Sequence, residues 1–244
     1  MIAAARIGQP FRTAAVLSGL AVVAAIAVGA MLFARGPEPA YLPDMVSTPI
    51  TLLSGKEIYA QRFEVTVAEW NTCVAEGGCS LRLRVRAGQD PTTTPATGLS
   101  YVDAGEYLAW INRRTGLDFR LPTASEWREM AASVLPEAPD PVFTDPALTW
   151  ASAYLIEGNA PRALKPRGSF STSPEGVADL DGSVWEWTQE CYSGEAAARC
   201  PAFFVGGEHV AAMSYLIRDP ARGGCAVGSP PAHLGMRLVS DSPV

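Results

Sequence analysis

The densest group of residues able to do chemistry runs from Gly176 to Thr188 and reads Gly-Val-Ala-Asp-Leu-Asp-Gly-Ser-Val-Trp-Glu-Trp-Thr. Asp179, Asp181 and Glu186 supply carboxylates there. Gly182 can take a backbone angle that other residues resist. In an extended chain, Trp185 and Trp187 share one face while Val184 and Glu186 take the other. Apolar rings on one side and a carboxylate on the other describe a core anchor beside a polar or metal site. An ordinary strand entered by a turn is the plain alternative.

Thiols and imidazoles are the other reactive groups. Cys73 and Cys79 bracket Gly77-Gly78, and Cys191 and Cys200 bracket an Ala-rich loop. Each pair is expected to close a local disulfide, Cys73–Cys79 and Cys191–Cys200, although spacing alone leaves connectivity open. Cys225 is left over and reads as a small buried hydrophobe. No Lys, Arg or His pair flanks it to activate the thiol. Zinc is disfavoured, because the cysteines form no CxxC pair and only His209 and His233 supply imidazoles.

Several elements must position these groups. Thr66-Val-Ala-Glu69, Ser100-Tyr-Val-Asp103 and Thr123-Ala-Ser-Glu126 each carry the capping-box pattern of a helix start. The first helix is expected to stop at Gly77, the second at Gly116 and the third near Pro136. Asp103 is short for reaching back to its cap. Phe119–Pro122 reads as an extended entry into the third helix. Phe203–Gly207 and Leu234–Val239 read as short strands. With 22 Gly and 20 Pro, the fold should be rich in loops. A net charge of -6 and a pI near 5.0 argue against a nucleic-acid partner.

The N-terminal end differs in kind. Ala14–Phe33 is a run of 20 residues without a charge, long enough to span a bilayer core of about 30 Å. Arg6 and Arg12 precede it, which places residues 1–13 in the cytoplasm and the remainder outside. An uncleaved anchor over 14–33 is preferred to a signal peptide cut near Val28-Gly29-Ala30, because Met31, Leu32 and Phe33 continue the apolar run. Residues 34–47, with Pro37, Pro39 and Pro43, form a stiff linker. Residues 48–244 form the exported domain. The expected location is the inner membrane, single-pass, with that domain in the periplasm.

The blocks in order are Glu64-Val-Thr66, Gly98-Leu-Ser-Tyr-Val-Asp-Ala104, Arg120-Leu-Pro-Thr-Ala-Ser-Glu-Trp127, Gly176 to Trp187, Gly206-Gly207 and Leu234-Gly-Met-Arg237. This series resembles the formylglycine-generating enzyme family, the sulfatase-modifying-factor domain, over about residues 60 to 240. The resemblance implies an α+β fold with a C-type-lectin-like core, compact and low in regular secondary structure. Family enzymes hold copper(I) between two cysteines that follow the Gly-Gly segment and oxidise a substrate cysteine to formylglycine. Thiolates are the soft ligands that copper(I) prefers.

Departures from the family decide the functional expectation. The motifs align the two copper cysteines with Ala211 and Leu216, and no cysteine lies between Cys200 and Cys225. Formylglycine synthesis is therefore read as lost, with neither copper nor iron expected. The resemblance implies calcium near Ser183, the Val184 carbonyl and Glu186, with a second site starting from Asn159. Ser183 stands where the family has Asn, which removes one of about six to eight oxygens that calcium wants. For Glu186 the alternative is a buried carboxylate held by backbone N–H groups. Arg218 and Arg222 match a family pair of arginines and read either as structural ion pairs or, with Glu208 and His209, as contacts to a partner's carboxylate.

The expected function is a membrane-anchored accessory protein that binds an extended peptide or a periplasmic protein. The short cysteine loop and the anchor resemble NirV-type proteins associated with nitrite reductase. The alternative is an oxidoreductase with a non-haem iron or copper site built on His209 and Glu208. Carbohydrate binding rests on fold analogy alone.

Overall fold

The computed structural model describes residues 39–135, 142–143, 155, 163–208, 210–218 and 232–244. The anchor at 14–33, residues 34–38 of the linker, Asn159, His209, Arg222 and Cys225 lie outside the described residues. The rest of the expected linker is not a free spacer: Pro39–Tyr41 form a short 3-10 helix, Met45 bridges Gln61 and Val46 is buried, so the domain begins before residue 48. Among the described residues, no helix is long and apolar enough to cross a membrane.

Local sequence signals set the three α-helices of the described residues. Helices α1 (Val67–Ala75), α2 (Tyr101–Thr115) and α3 (Ala124–Ala131) start from Thr66, Ser100 and Thr123, each with both arms of a capping box in place. Asp103 does reach back, accepting from the Ser100 backbone N–H at 2.8 Å. Gly116 ends α2 in the left-handed region at φ 69°, where a Cβ would be strained. Helix α3 stops at Ala131, short of Pro136.

Among the described residues, seven short strands form two sheets. Strands β1 (Ile50–Thr51), β2 (Glu57–Ala60) and β7 (Val239–Ser240) form one, in the order β1-β2-β7. Strands β3 (Val184–Cys191), β4 (Ala202–Gly206), β5 (Val210–Ser214) and β6 (His233–Gly235) form the other, in the order β5-β4-β3-β6. Strand β3 pairs antiparallel with β4 and parallel with β6. The single strand expected over Leu234–Val239 is in fact two, β6 and β7, in different sheets. The chain crosses between them through Met236, Arg237 and Leu238, all at 0% exposure. Arg237 occupies the crossing, and its partners are Glu186 of β3, the carbonyls of Gln61 and Arg62 just after β2, and the Ala178 carbonyl before β3.

Strand β3 divides the interior. Trp185 and Trp187 enter the larger apolar cluster with Trp70, Leu99, Tyr107 and Phe203. Trp127 belongs to the second cluster, with Ile58, Val177, Leu180 and Val239. The two faces of the sequence reading exist, but the carboxylate face is closed as well. Both expected disulfides are present, with S–S distances of 2.02 Å for Cys73–Cys79 and 2.04 Å for Cys191–Cys200. The first closes the turn after α1, and the second ties the end of β3 to the start of β4.

The Gly206-Gly207 pair has a steric reason. A Cβ on Gly206 would lie 2.2 Å from Cδ2 of Trp127, and one on Gly207 would lie 2.4 Å from Cδ2 of Trp185. Two indoles from opposite clusters rest on bare backbone. Neither ring is the end of a flexible chain, so neither can yield without moving its core. Gly206→Ala is expected to lower stability by about 1–3 kcal/mol, the usual cost of overpacking a core. Urea denaturation of the purified chain measures it, and an unchanged midpoint would contradict this account of the glycines.

Candidate functional site

At the junction of the two sheets lies a buried ionic cluster. Arg237 Nη2 donates to Glu186 Oε1 at 2.8 Å, and Nε lies 3.1 Å from both Glu186 oxygens. The remaining donors reach the carbonyls of Gln61 at 2.8 Å, Arg62 at 2.7 Å and Ala178 at 2.8 Å. Glu186 Oε2 also accepts from the Trp127 indole N–H at 2.9 Å. Both charged residues are at 0% exposure. A buried pair is tolerable only when such hydrogen bonds satisfy it.

Glu64 completes the cluster from the exit of β2. Its Oε2 lies 3.9 Å from Arg237 Nη2 and, among buried side-chain oxygens, is left without a hydrogen bond. Arg237 cannot neutralise two carboxylates. Burial raises the Glu64 pKa from the usual 4.5 to about 8; Arg237 opposes the shift and Glu186 adds to it. The folded protein therefore holds a proton on Glu64 at neutral pH.

A second polar node fixes the loop after β5. Arg218 Nε and Nη2 donate to the two oxygens of Asp103 at 2.7 and 2.6 Å. Asp103 is simultaneously the capping-box acid of α2. Burial works to raise its pKa, but Arg218 and Ser100 together hold it below the ordinary value. The Tyr101 backbone N–H donates to the Tyr215 carbonyl at 3.1 Å, which pins the same loop from the other side.

The positions aligned with the copper cysteines differ sharply from each other. Ala211 is packed in the larger core at 1% exposure, whereas Leu216 is 62% exposed. Beside Leu216, Tyr215 is also exposed, and Arg218 keeps about half of its side chain in solvent. This is an apolar, partly cationic surface without a thiol among its described residues.

The residues expected to act together come together only in part. Ser183 and Val184 line a tight cleft with Glu64, Asp179, Lys165 and Arg167. Glu186 turns away from that cleft toward Arg237 and Trp127. The residues present therefore do not fit a calcium site built on Glu186, because its oxygens are taken and two cations stand at the cleft. The expectation that backbone N–H groups hold Glu186 is corrected too, since its donors are side chains. Among the described residues, no group of three or more His, Cys, Asp or Glu is placed to hold a metal ion. Arg218 forms the ion pair that its structural reading expects, with Asp103, while about half of its side chain stays in solvent. Glu208 is exposed at the β4–β5 turn, and His233 sits in β6 opposite Val184.

Sequence reasoning quoted Glu64 and Arg237 but gave them no role. One signal was available. Arg237 interrupts the apolar run Leu234–Val239, and a charge inside a buried run needs a buried partner.

Short capped helices around two small sheets, pinned by a buried arginine and a Trp-Glu-Trp strand, define a formylglycine-generating-enzyme-type scaffold. Residues 26–242 match the FGE-sulfatase family, the sulfatase-modifying factor enzyme 1-like domain, and the chain belongs to that family. It is 27% identical over 179 residues to the formylglycine-generating enzyme of Mycobacterium tuberculosis, covering 60% of this chain and 57% of that protein. It is 32% identical over 114 residues to the inactive C-alpha-formylglycine-generating enzyme 2 of Mus musculus, covering 40% of this chain and 32% of that protein. The chain thus spans about half, or less, of the relatives it matches. The solved structure of PvdO from Pseudomonas aeruginosa shares the fold, with a TM-score of 0.54 at 17% identity over 84% of this chain and 99% of that one.

The proton on Glu64 has a measurable consequence. In the unfolded chain this carboxyl ionises near its usual value, so folding takes up a proton between the two pKa values. Stability therefore falls as pH rises from about 4.5 to about 8 and levels off above that. Glu64→Gln mimics the protonated acid and is expected to flatten this slope. Urea midpoints at pH values of about 5 and about 8 test it. Equal slopes in the two proteins would mean that another group carries the pH dependence.

Proposed function

We propose that this chain is a membrane-anchored, exported accessory protein that uses the family scaffold to bind a periplasmic partner and does not make formylglycine. The cysteine count carries the reading. Of five cysteines, four are in the two disulfides, which leaves Cys225 alone. A single thiolate cannot supply the two soft ligands of a copper(I) site. Ala211 and Leu216 support the same reading, since one fills the core and the other is an exposed aliphatic. Likeness to a relative named as inactive agrees with it. No copper or iron enters this reading.

Two disulfides favour an oxidising compartment. The uncharged run Ala14–Phe33 supports a single-pass anchor in the inner membrane with the domain in the periplasm. The exposed surface of Tyr215 and Leu216, with Arg218 beside it, suits an extended peptide. Resemblance to NirV-type proteins makes nitrite reductase the first partner to test.

The full chain in detergent, given copper(I), oxygen and a cysteine-containing peptide, is expected to consume no oxygen and to leave the thiol unchanged by mass spectrometry. Aldehyde formation that tracks enzyme concentration would overturn the non-catalytic reading. Mild crosslinking in membranes is expected to retain a periplasmic protein. Recovery of the chain alone would overturn the accessory role.

A further inference from the structure

We propose that the stretch Leu81–Arg86 is a docking strip for an extended acidic segment of a protein partner, with carboxylates at every second residue. It reads Leu-Arg-Leu-Arg-Val-Arg. The chain here belongs to neither sheet, yet it is held extended by helix α1. The Trp70 indole N–H donates to the Leu81 carbonyl at 2.6 Å. The Asn71 side chain takes the place of a paired strand, accepting from the Leu83 N–H at 3.1 Å and donating to the Leu83 carbonyl at 3.0 Å. Leu81 and Leu83 pack against the larger core. Alternation then puts Arg82, Arg84 and Arg86 outward, and all three are exposed.

None of these three arginines forms an ion pair with a described residue, although the chain carries a net charge of -6. Three cations on one strip, unanswered among the described residues of an acidic protein, offer a surface complementary to an anionic partner. Arg84 and Arg86 also line a cavity of about 180 Å³ with Gln89, Thr94, Thr97 and His233. That volume suits a single acidic side chain rather than a whole cofactor. The Gln89 amide and the Thr97 hydroxyl on its wall can donate to a carboxylate beside the guanidinium forks. Alternate residues of an extended chain stand about 7 Å apart, so acids at every second position of a partner match the arginine spacing. A flat lipid surface would use neither the cavity nor this spacing. The strip stands whether or not the chain has a reaction of its own.

Fluorescence anisotropy with the full chain in neutral detergent tests this. The probe is a labelled synthetic peptide with Glu at every second position. Comparators are a peptide of equal composition with its Glu residues in one block, a sulfated glycan, and vesicles of anionic phospholipid. The alternating peptide is expected to bind best, and Arg84→Gln with Arg86→Gln to weaken it about tenfold. Arg84→Lys with Arg86→Lys keeps the charge but loses the forks, and an intermediate loss is expected. Arg199→Gln, on an exposed arginine elsewhere, is expected to change nothing. Because the side chains are exposed, each variant should keep the wild-type melting curve. Absence of binding, indifference to the Gln pair, equal binding of the block peptide, or stronger binding of glycan or vesicles would each overturn the proposal.

Discussion

One buried guanidinium holds this fold together. Arg237 sits between the two small sheets and meets Glu186 of β3, the carbonyls of Gln61 and Arg62 after β2, and the Ala178 carbonyl before β3. Placing an unpaired charge there would cost several kcal/mol. That penalty makes the arrangement all-or-none: the guanidinium is tolerable only when every segment bearing an acceptor is in its native place. Apolar contacts around it are more forgiving, since packed side chains of similar volume can interchange. The crossing from β6 to β7 thus owes its position to charge satisfaction, and the surrounding cores then fill the space on either side.

Glu64 shows the limit of that arrangement. A second carboxylate beside one guanidinium has no cation of its own, so a proton neutralises it in the folded state. Glu186 wins the arginine because it also has the Trp127 indole and closer geometry. Trp127 in turn rests on Gly206, so the ionic cluster and the glycine hairpin share one ring. Calcium near Glu186 would have to break into this set, and the cleft that Ser183 and Val184 line already holds Lys165 and Arg167.

What the sequence made legible was local. The capping boxes at Thr66, Ser100 and Thr123 involve residues three apart, and all three formed. Both disulfides close short loops, and both are present. The family was legible because its motifs are themselves compact blocks in a fixed order. The division of Leu234–Val239 between two sheets was not, because it depends on Gln61, which is 176 residues away from Arg237. Arg218 and Asp103 are 115 residues apart, so their pairing was one of two open readings. Glu186 was seen as either a ligand or a buried acceptor; strand alternation gives its face but not what covers that face. The strip at Arg82, Arg84 and Arg86 passed unnoticed because it contains no aromatic residue and is shorter than a basic tract.

The frame does not depend on the two positions aligned with the family's copper cysteines. Ala211 suits a core position, and Leu216 is exposed, so the absent sulfurs leave no buried hole behind. The frame also carries two surface regions, the cavity beside β6 and the exposed residues after β5. The segment 97–101 ties the two together. Thr97 lines the arginine cavity, and Gly98 lies beside the Arg218 carbonyl. The Leu99 N–H donates to Leu234 of β6, its carbonyl accepts from the Trp187 indole, and the Tyr101 N–H reaches Tyr215. Two of these links are backbone hydrogen bonds and the third comes from a buried indole. The cavity beside β6 and the exposed residues after β5 flank the four-stranded sheet on opposite edges, yet this short segment keeps them in register. Because the segment is fixed at both edges of the sheet, neither surface needs a hinge to be ordered before it is engaged, which lowers the entropic cost of binding there.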